Sequence, residues 1–76
     1  MDSGDMFISY NRKLREDAKI SFRDFDKLCG VNIRQWEYRG VKPGMAAAEK
    51  VANFWGMSLG NFIKAAESEF GGVVNV

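Results

Sequence analysis

The chain has 76 residues, enough for one small domain and too few for two. Hydrophobic residues make up 46% and charged residues 28%, with a net charge of +1, which excludes a disordered polyelectrolyte and leaves charge alone a weak pointer to any partner. With no His and a single cysteine, Cys29, the chain cannot form an intramolecular disulfide, a Cys/His zinc site of its own, or a histidine-dependent catalytic site.

Residues 1–5 are expected to be a flexible N-terminus, with Asp5 able to cap the helix that follows. Helical spacing then predicts a first helix from Met6 to Ala18, on which Phe7, Tyr10 and Leu14 form a narrow apolar stripe among charged residues. Ser21, with Asp24 three residues on, has the form of a capping box and opens a second helix carrying Phe22, Phe25, Leu28 and Cys29. Gly30 supplies the left-handed residue that stops it. Asn32 is an N-cap candidate for a third helix, Ile33 to about Arg39, so that two short helices are joined by a few residues containing Gly. Gly40 and Pro43 punctuate the way to a fourth helix, about Met45 to Trp55, with Ala48, Val51, Ala52 and Trp55 on one side. Gly56 ends it, and Ser58 caps a fifth helix with Leu59, Phe62, Ile63 and Ala66 inward. The expected class is therefore all-α, with the domain in residues 6–69. Residues 70–76 form a short tail that is either disordered or a pairing strand across a dimer.

Residues 1–42 hold nine Lys/Arg against seven Asp/Glu, and residues 43–76 two against three, so any positive surface belongs to the first half. Six Phe and two Trp predict an aromatic-rich core, one small enough for dimerisation to be a natural supplement. No apolar run approaches the roughly 20 residues of a membrane span and no signal peptide is evident. A cytoplasmic protein without membrane contact or cofactor is expected.

Taken in order, Leu14-Arg15-Glu16, Ile20-Ser21, Leu28-Cys29-Gly30-Val31-Asn32, Pro43, Lys50-Val51-Ala52 and Trp55-Gly56-Met57-Ser58-Leu59 resemble the Cro/repressor-like (XRE-type) family of helix-turn-helix DNA-binding proteins over about residues 7–66. The chain departs from that pattern at Asp26, where the family has a small residue, and at Phe22, where it commonly has Gln fixing a phosphate. It is also about three residues shorter between Ser21 and Pro43, a gap assigned to the loop after helix three. A second register, aligning Asn32–Glu37 with a Trp-Glu ending common in the family, puts charged residues at two packing positions of helix two, so the first is preferred. Locally, Phe25–Arg34 with Tyr38 and Gly40–Pro43 is also similar to the opening of MerR-type and excisionase winged helices.

The resemblance implies a compact five-helix, lambda-repressor-like domain whose third helix enters the major groove of double-stranded DNA. In that geometry Asn32, Ile33, Arg34, Glu37 and Tyr38 meet base edges, with Gln35 partly inward but suited to adenine in another register. Arg34 suits guanine, Ile33 a thymine methyl and Glu37 a cytosine amino group. Phe22, Arg23, Arg39, Lys42 and Gly44 fall at phosphate positions. Trp36 and Trp55 are expected in the core, and Cys29 as a small buried hydrophobe. Asp26 is either exposed, paired with Arg23 or Lys27, or engaged in a special contact. The implied protein is a homodimeric transcriptional regulator, a repressor, on a palindromic operator. The alternatives are an antitoxin- or anti-repressor-like protein-interaction module on the same fold, and a winged-helix DNA binder. An enzyme is not expected, since Asp24 and Asp26 point apart on their helix.

Overall fold

Side chains that take up free backbone N–H groups fix where most of the helices begin. The computed structural model describes residues 2–71, in which the chain forms α1 (Ser3–Asp17), α2 (Phe22–Cys29), α3 (Ile33–Arg39), α4 (Met45–Phe54) and α5 (Leu59–Phe70), with no strand among the described residues. The class is all-α, as the periodicity predicts. Ser21 Oγ accepts the Asp24 N–H at 3.1 Å and Ser58 Oγ accepts the Asn61 N–H at 3.1 Å, so both predicted serine caps are formed.

The N-terminus departs from expectation. α1 begins at Ser3, not Met6, because the Asp2 carboxylate accepts the Asp5 N–H at 2.8 Å; Asp2 is the cap and Asp5 lies in the first helical turn. At the other end of the chain α5 runs through Phe70, so the tail starts later than residue 70. The suggested pairing strand concerns residues that lie mostly outside the described ones. α1 closes with Lys19 in the left-handed region (φ 59°), where Lys19 and Ile20 donate their N–H groups to the Glu16 and Arg15 carbonyls at 3.0 Å each. This is a Schellman closure made without glycine.

The core is built from Phe7, Phe25, Ile33, Trp36, Ala48, Val51, Ala52 and Phe62. α1 lies along α5 through Phe7 and Tyr10, whose rings stand 4.9 and 5.0 Å from that of Phe62. α2 is fixed to the end of α4 by Phe25, edge-on to Phe54 at 4.9 Å and stacked on Trp55 at 5.9 Å. Trp55 itself is half-buried, not fully enclosed. Its indole N–H donates to Oδ1 of the buried Asn11 at 2.8 Å, tying α4 to α1. The apolar spacing of α2 also includes Leu28, yet that side chain is 68% exposed. The helix has little more than two turns, and Phe25 alone supplies its fully buried anchor. Among the described residues no helix is long and apolar enough to cross a membrane.

Candidate nucleic-acid interface

α2 and α3 are joined by Gly30, Val31 and Asn32. Gly30 ends α2 at φ 79°, ψ 37°, a conformation that a side chain would strain, and its N–H donates to the Asp26 carbonyl at 2.8 Å. The predicted cap of α3 is not made, because the Asn32 side chain forms no capping hydrogen bond. Asp26 takes that role from the middle of α2: its Oδ1 accepts the Ile33 N–H at 2.9 Å. The residue for which the sequence left three readings open thus makes the special contact, closing α3 onto α2 across the turn. Asp26→Ala is expected to lower the unfolding free energy by about 1–2 kcal/mol and to speed exchange of the Ile33 amide proton. Asp26→Asn, which keeps an acceptor, should cost less; equal losses for the two would refute the cap.

α3 has seven residues, and three of them face inward. Ile33 is 0% exposed and Trp36 is buried against Phe7, ring to ring at 6.4 Å. Glu37 follows on the same stripe, its side chain only 2% exposed. Two expected base contacts are therefore corrected. Ile33 is core and cannot reach a thymine methyl, and the Glu37 carboxylate is spent on Arg15, whose Nη2 stands 3.3 Å from Glu37 Oε1. Arg15 also donates from Nη1 to the Ile20 carbonyl at 2.9 Å. Burial pushes the Glu37 carboxyl above its ordinary range, with the Arg15 and Arg12 charges opposing the shift only in part. Both corrections have one cause, the rotational setting of a short helix held by Ile33 and Trp36.

That setting leaves Arg34, Gln35, Tyr38 and Arg39 on the outer face, with Asn32 exposed at its start. Gln35, expected partly inward, is exposed. Tyr38 is 61% exposed. Beside this face lies a shallow concavity of about 410 Å³ lined by Phe22, Arg23, Asp26, Val31, Asn32 and Arg34. The Phe22 ring, at the position where a phosphate contact was expected, is half-buried under cations. The guanidinium carbons of Arg15 and Arg34 stand 4.8 and 5.4 Å from its centroid, and the Tyr38 ring meets it edge-on at 5.6 Å. Its side chain is thus committed to packing, and only its backbone N–H remains suited to a phosphate.

Of the other expected phosphate contacts, Arg23 and Arg39 are exposed and make no ion pair among the described residues. Lys42 is engaged: its ammonium pairs with Asp5 and stands 3.7 Å from Asp2, holding the loop before α4 to the first turn of α1. Gly44 is the N-cap of α4, without a side-chain cap. Cys29 is half-buried, and burial pushes its thiol up against the opposing charge of Lys50, which disfavours the reactive thiolate.

Sequence reasoning missed Arg15 as a buried member of this region and Phe22 as its aromatic centre. Arg15 was legible only as one of several charges beside a stripe, and its partner is 22 residues away. No protein-family profile, no curated protein and no solved structure matches this chain.

Proposed function

We propose that this chain is a sequence-specific DNA-binding transcriptional regulator of the helix-turn-helix type, acting in the cytoplasm as a homodimeric repressor on a palindromic operator. One observation carries the reading. A helix fixed from behind by Ile33, Trp36 and Glu37 and capped by Asp26 presents Arg34, Gln35, Tyr38 and Arg39 outward, with neither arginine paired to a carboxylate among the described residues. Arg34 offers two parallel donors to guanine O6 and N7, and Gln35 is the natural partner of adenine. Asn32 lies at the start of the helix, Arg23 and Arg39 flank it for phosphates, and the Phe22 and Gly44 backbone N–H groups add uncharged donors. The winged-helix alternative puts the same helix on DNA, but no strand follows α3 among the described residues, which favours the repressor-like arrangement.

Selection of bound sequences from random duplex DNA, followed by titration at several salt concentrations, tests the proposal. An enriched motif with two-fold symmetry supports it; a pool left unenriched even at low salt overturns it. Arg34→Ala is expected to weaken binding to the selected site by about 1–3 kcal/mol and to relax the preference at one base pair. Arg39→Ala should weaken binding to all sequences alike and reduce the salt slope by about one.

A protein-interaction module is the second reading, favoured by the exposure of Leu28, Tyr38, Val41 and Met45. Large apolar side chains left in water are what a protein partner would cover. An isolated chain that binds no DNA at low salt, yet forms a stoichiometric complex with one purified protein, is the outcome that selects it.

A further inference from the structure

We infer that Phe22, Arg34 and Tyr38 act as one preorganised reading unit, in which Phe22 is the positioning residue and the target is a guanine with a thymine one or two base-pair steps away. The inference rests on the DNA-binding reading and adds to it a device for specificity.

Arg34 is exposed, and an exposed arginine ordinarily samples many rotamers, which must be given up when it pairs with a base. Here its guanidinium carbon stands 5.4 Å from the centroid of the Phe22 ring, within cation–π range. Phe22 is itself held. Arg15 packs on its ring at 4.8 Å, and Arg15 is anchored by Glu37 at 3.3 Å and by the Ile20 carbonyl at 2.9 Å. A buried ion pair thus stands behind the ring, and the ring stands behind the reading side chain. Glu37 touches no base in this arrangement; it acts through Arg15 and Phe22.

Tyr38 completes the unit. It sits one turn after Arg34, edge-on to the same ring at 5.6 Å, and its exposed face is apolar apart from the hydroxyl. Residues four apart on a helix are separated by roughly 6 Å along the axis. Successive base pairs are about 3.4 Å apart, so the two side chains address bases no more than about two steps apart. Arg34 suits guanine, and an aromatic surface beside it suits the C5-methyl of thymine. The Phe22 ring also lines the concavity next to Arg34, so apolar surface flanks the guanidinium without a competing carboxylate hydrogen bond to it among the described residues.

The test uses the full chain in four forms: wild type, Phe22→Leu, Phe22→Tyr and Arg34→Lys. Phe22→Leu keeps apolar bulk and removes the ring, Phe22→Tyr keeps the ring, and Arg34→Lys keeps charge but loses the planar fork. In the free protein, the Arg34 Nε–H resonance should be displaced by the ring current in wild type and Phe22→Tyr, and return to the value of a free arginine in Phe22→Leu. Selection from random duplex DNA should enrich a guanine and a thymine within two steps for wild type and Phe22→Tyr. Phe22→Leu should flatten both positions and lose about tenfold in affinity for the selected site, with its salt slope unchanged because no phosphate contact is removed. Arg34→Lys, a surface change that leaves the fold intact, should lose the guanine preference while retaining the salt slope.

An unchanged motif and affinity in Phe22→Leu, or an Arg34 resonance indifferent to the loss of the ring, overturns the inference while leaving the DNA-binding proposal standing. A wild type that shows the displaced resonance yet enriches no sequence at low salt overturns the DNA-binding proposal instead. The two failures are thereby told apart.

Discussion

Phe25→Ala is expected to remove about 3–5 kcal/mol of unfolding free energy, whereas Leu28→Ala, one turn further along α2, should change it by no more than about 0.5 kcal/mol. The two side chains share the apolar stripe of one short helix, so sequence pattern ranks them together. The structure separates them. Phe25 is 0% exposed and contacts the rings of both Phe54 and Trp55, so its truncation removes transfer free energy and leaves a cavity between α2 and the end of α4. Leu28 projects into solvent and leaves none. A chain of this length has a total stability of about 4–11 kcal/mol, so the Phe25 variant should be partly unfolded at room temperature and hard to purify. Urea midpoints for the two variants check the contrast. A Leu28→Ala loss comparable with that of Phe25→Ala would mean that α2 is rotated from the arrangement described, or that Leu28 is covered by a partner in solution.

The second large effect concerns the ion pair behind α3. Glu37→Ala is expected to cost about 3–5 kcal/mol, because it leaves the Arg15 charge buried without its carboxylate. Arg15 and Glu37 side chains are 8% and 2% exposed, so water cannot readily replace the missing partner. Neither Arg15 Nε nor Glu37 Oε2 has a hydrogen-bond partner among the described residues, which makes the pair an imperfectly satisfied one even when intact. Replacing both residues by methionine should therefore cost less than Glu37→Ala alone, since neither charge then needs solvation.

The pair also predicts a pH dependence with a definite sign. The Glu37 carboxyl is raised in the folded protein above its ordinary value of 4.5, with burial the leading cause. The folded state therefore holds that proton more tightly than the unfolded state does. The associated stabilisation is complete below the unfolded value and is lost as pH rises through the folded one. The stability of wild type relative to Glu37→Gln should thus fall as pH increases from about 4 towards neutrality. A relative stability that instead rises over that interval would reverse the assignment and make Arg15 the dominant influence on the carboxyl.

Much of the architecture is legible because its signals are local. Ser21 and Ser58 cap residues three positions away, and Gly30 adopts its left-handed conformation from its own lack of a side chain. The alternation of Ala48, Val51 and Ala52, and of Phe62 and Ala66, spans enough turns to fix which side of α4 and α5 is buried. The outer face of α3 is less legible. Seven residues give barely two turns, too few for the pattern to fix the face of Ile33 and Glu37; the burial of Ile33 together with Trp36 sets the rotation. The contacts that define the region are also distant in sequence. Arg15 meets Glu37 22 residues later, and Asp26 meets Ile33 seven residues later across the turn. Neither spacing belongs to a helix period or a turn type, and only packing brings the groups together.

The bond between Asn11 and Trp55 has a spectroscopic consequence. Both tryptophans of the chain report on α1, Trp36 through its contact with Phe7 and Trp55 through its indole N–H. Withdrawal of that helix would change the surroundings of both fluorophores at once, so intrinsic emission follows the seating of the first helix with no added label.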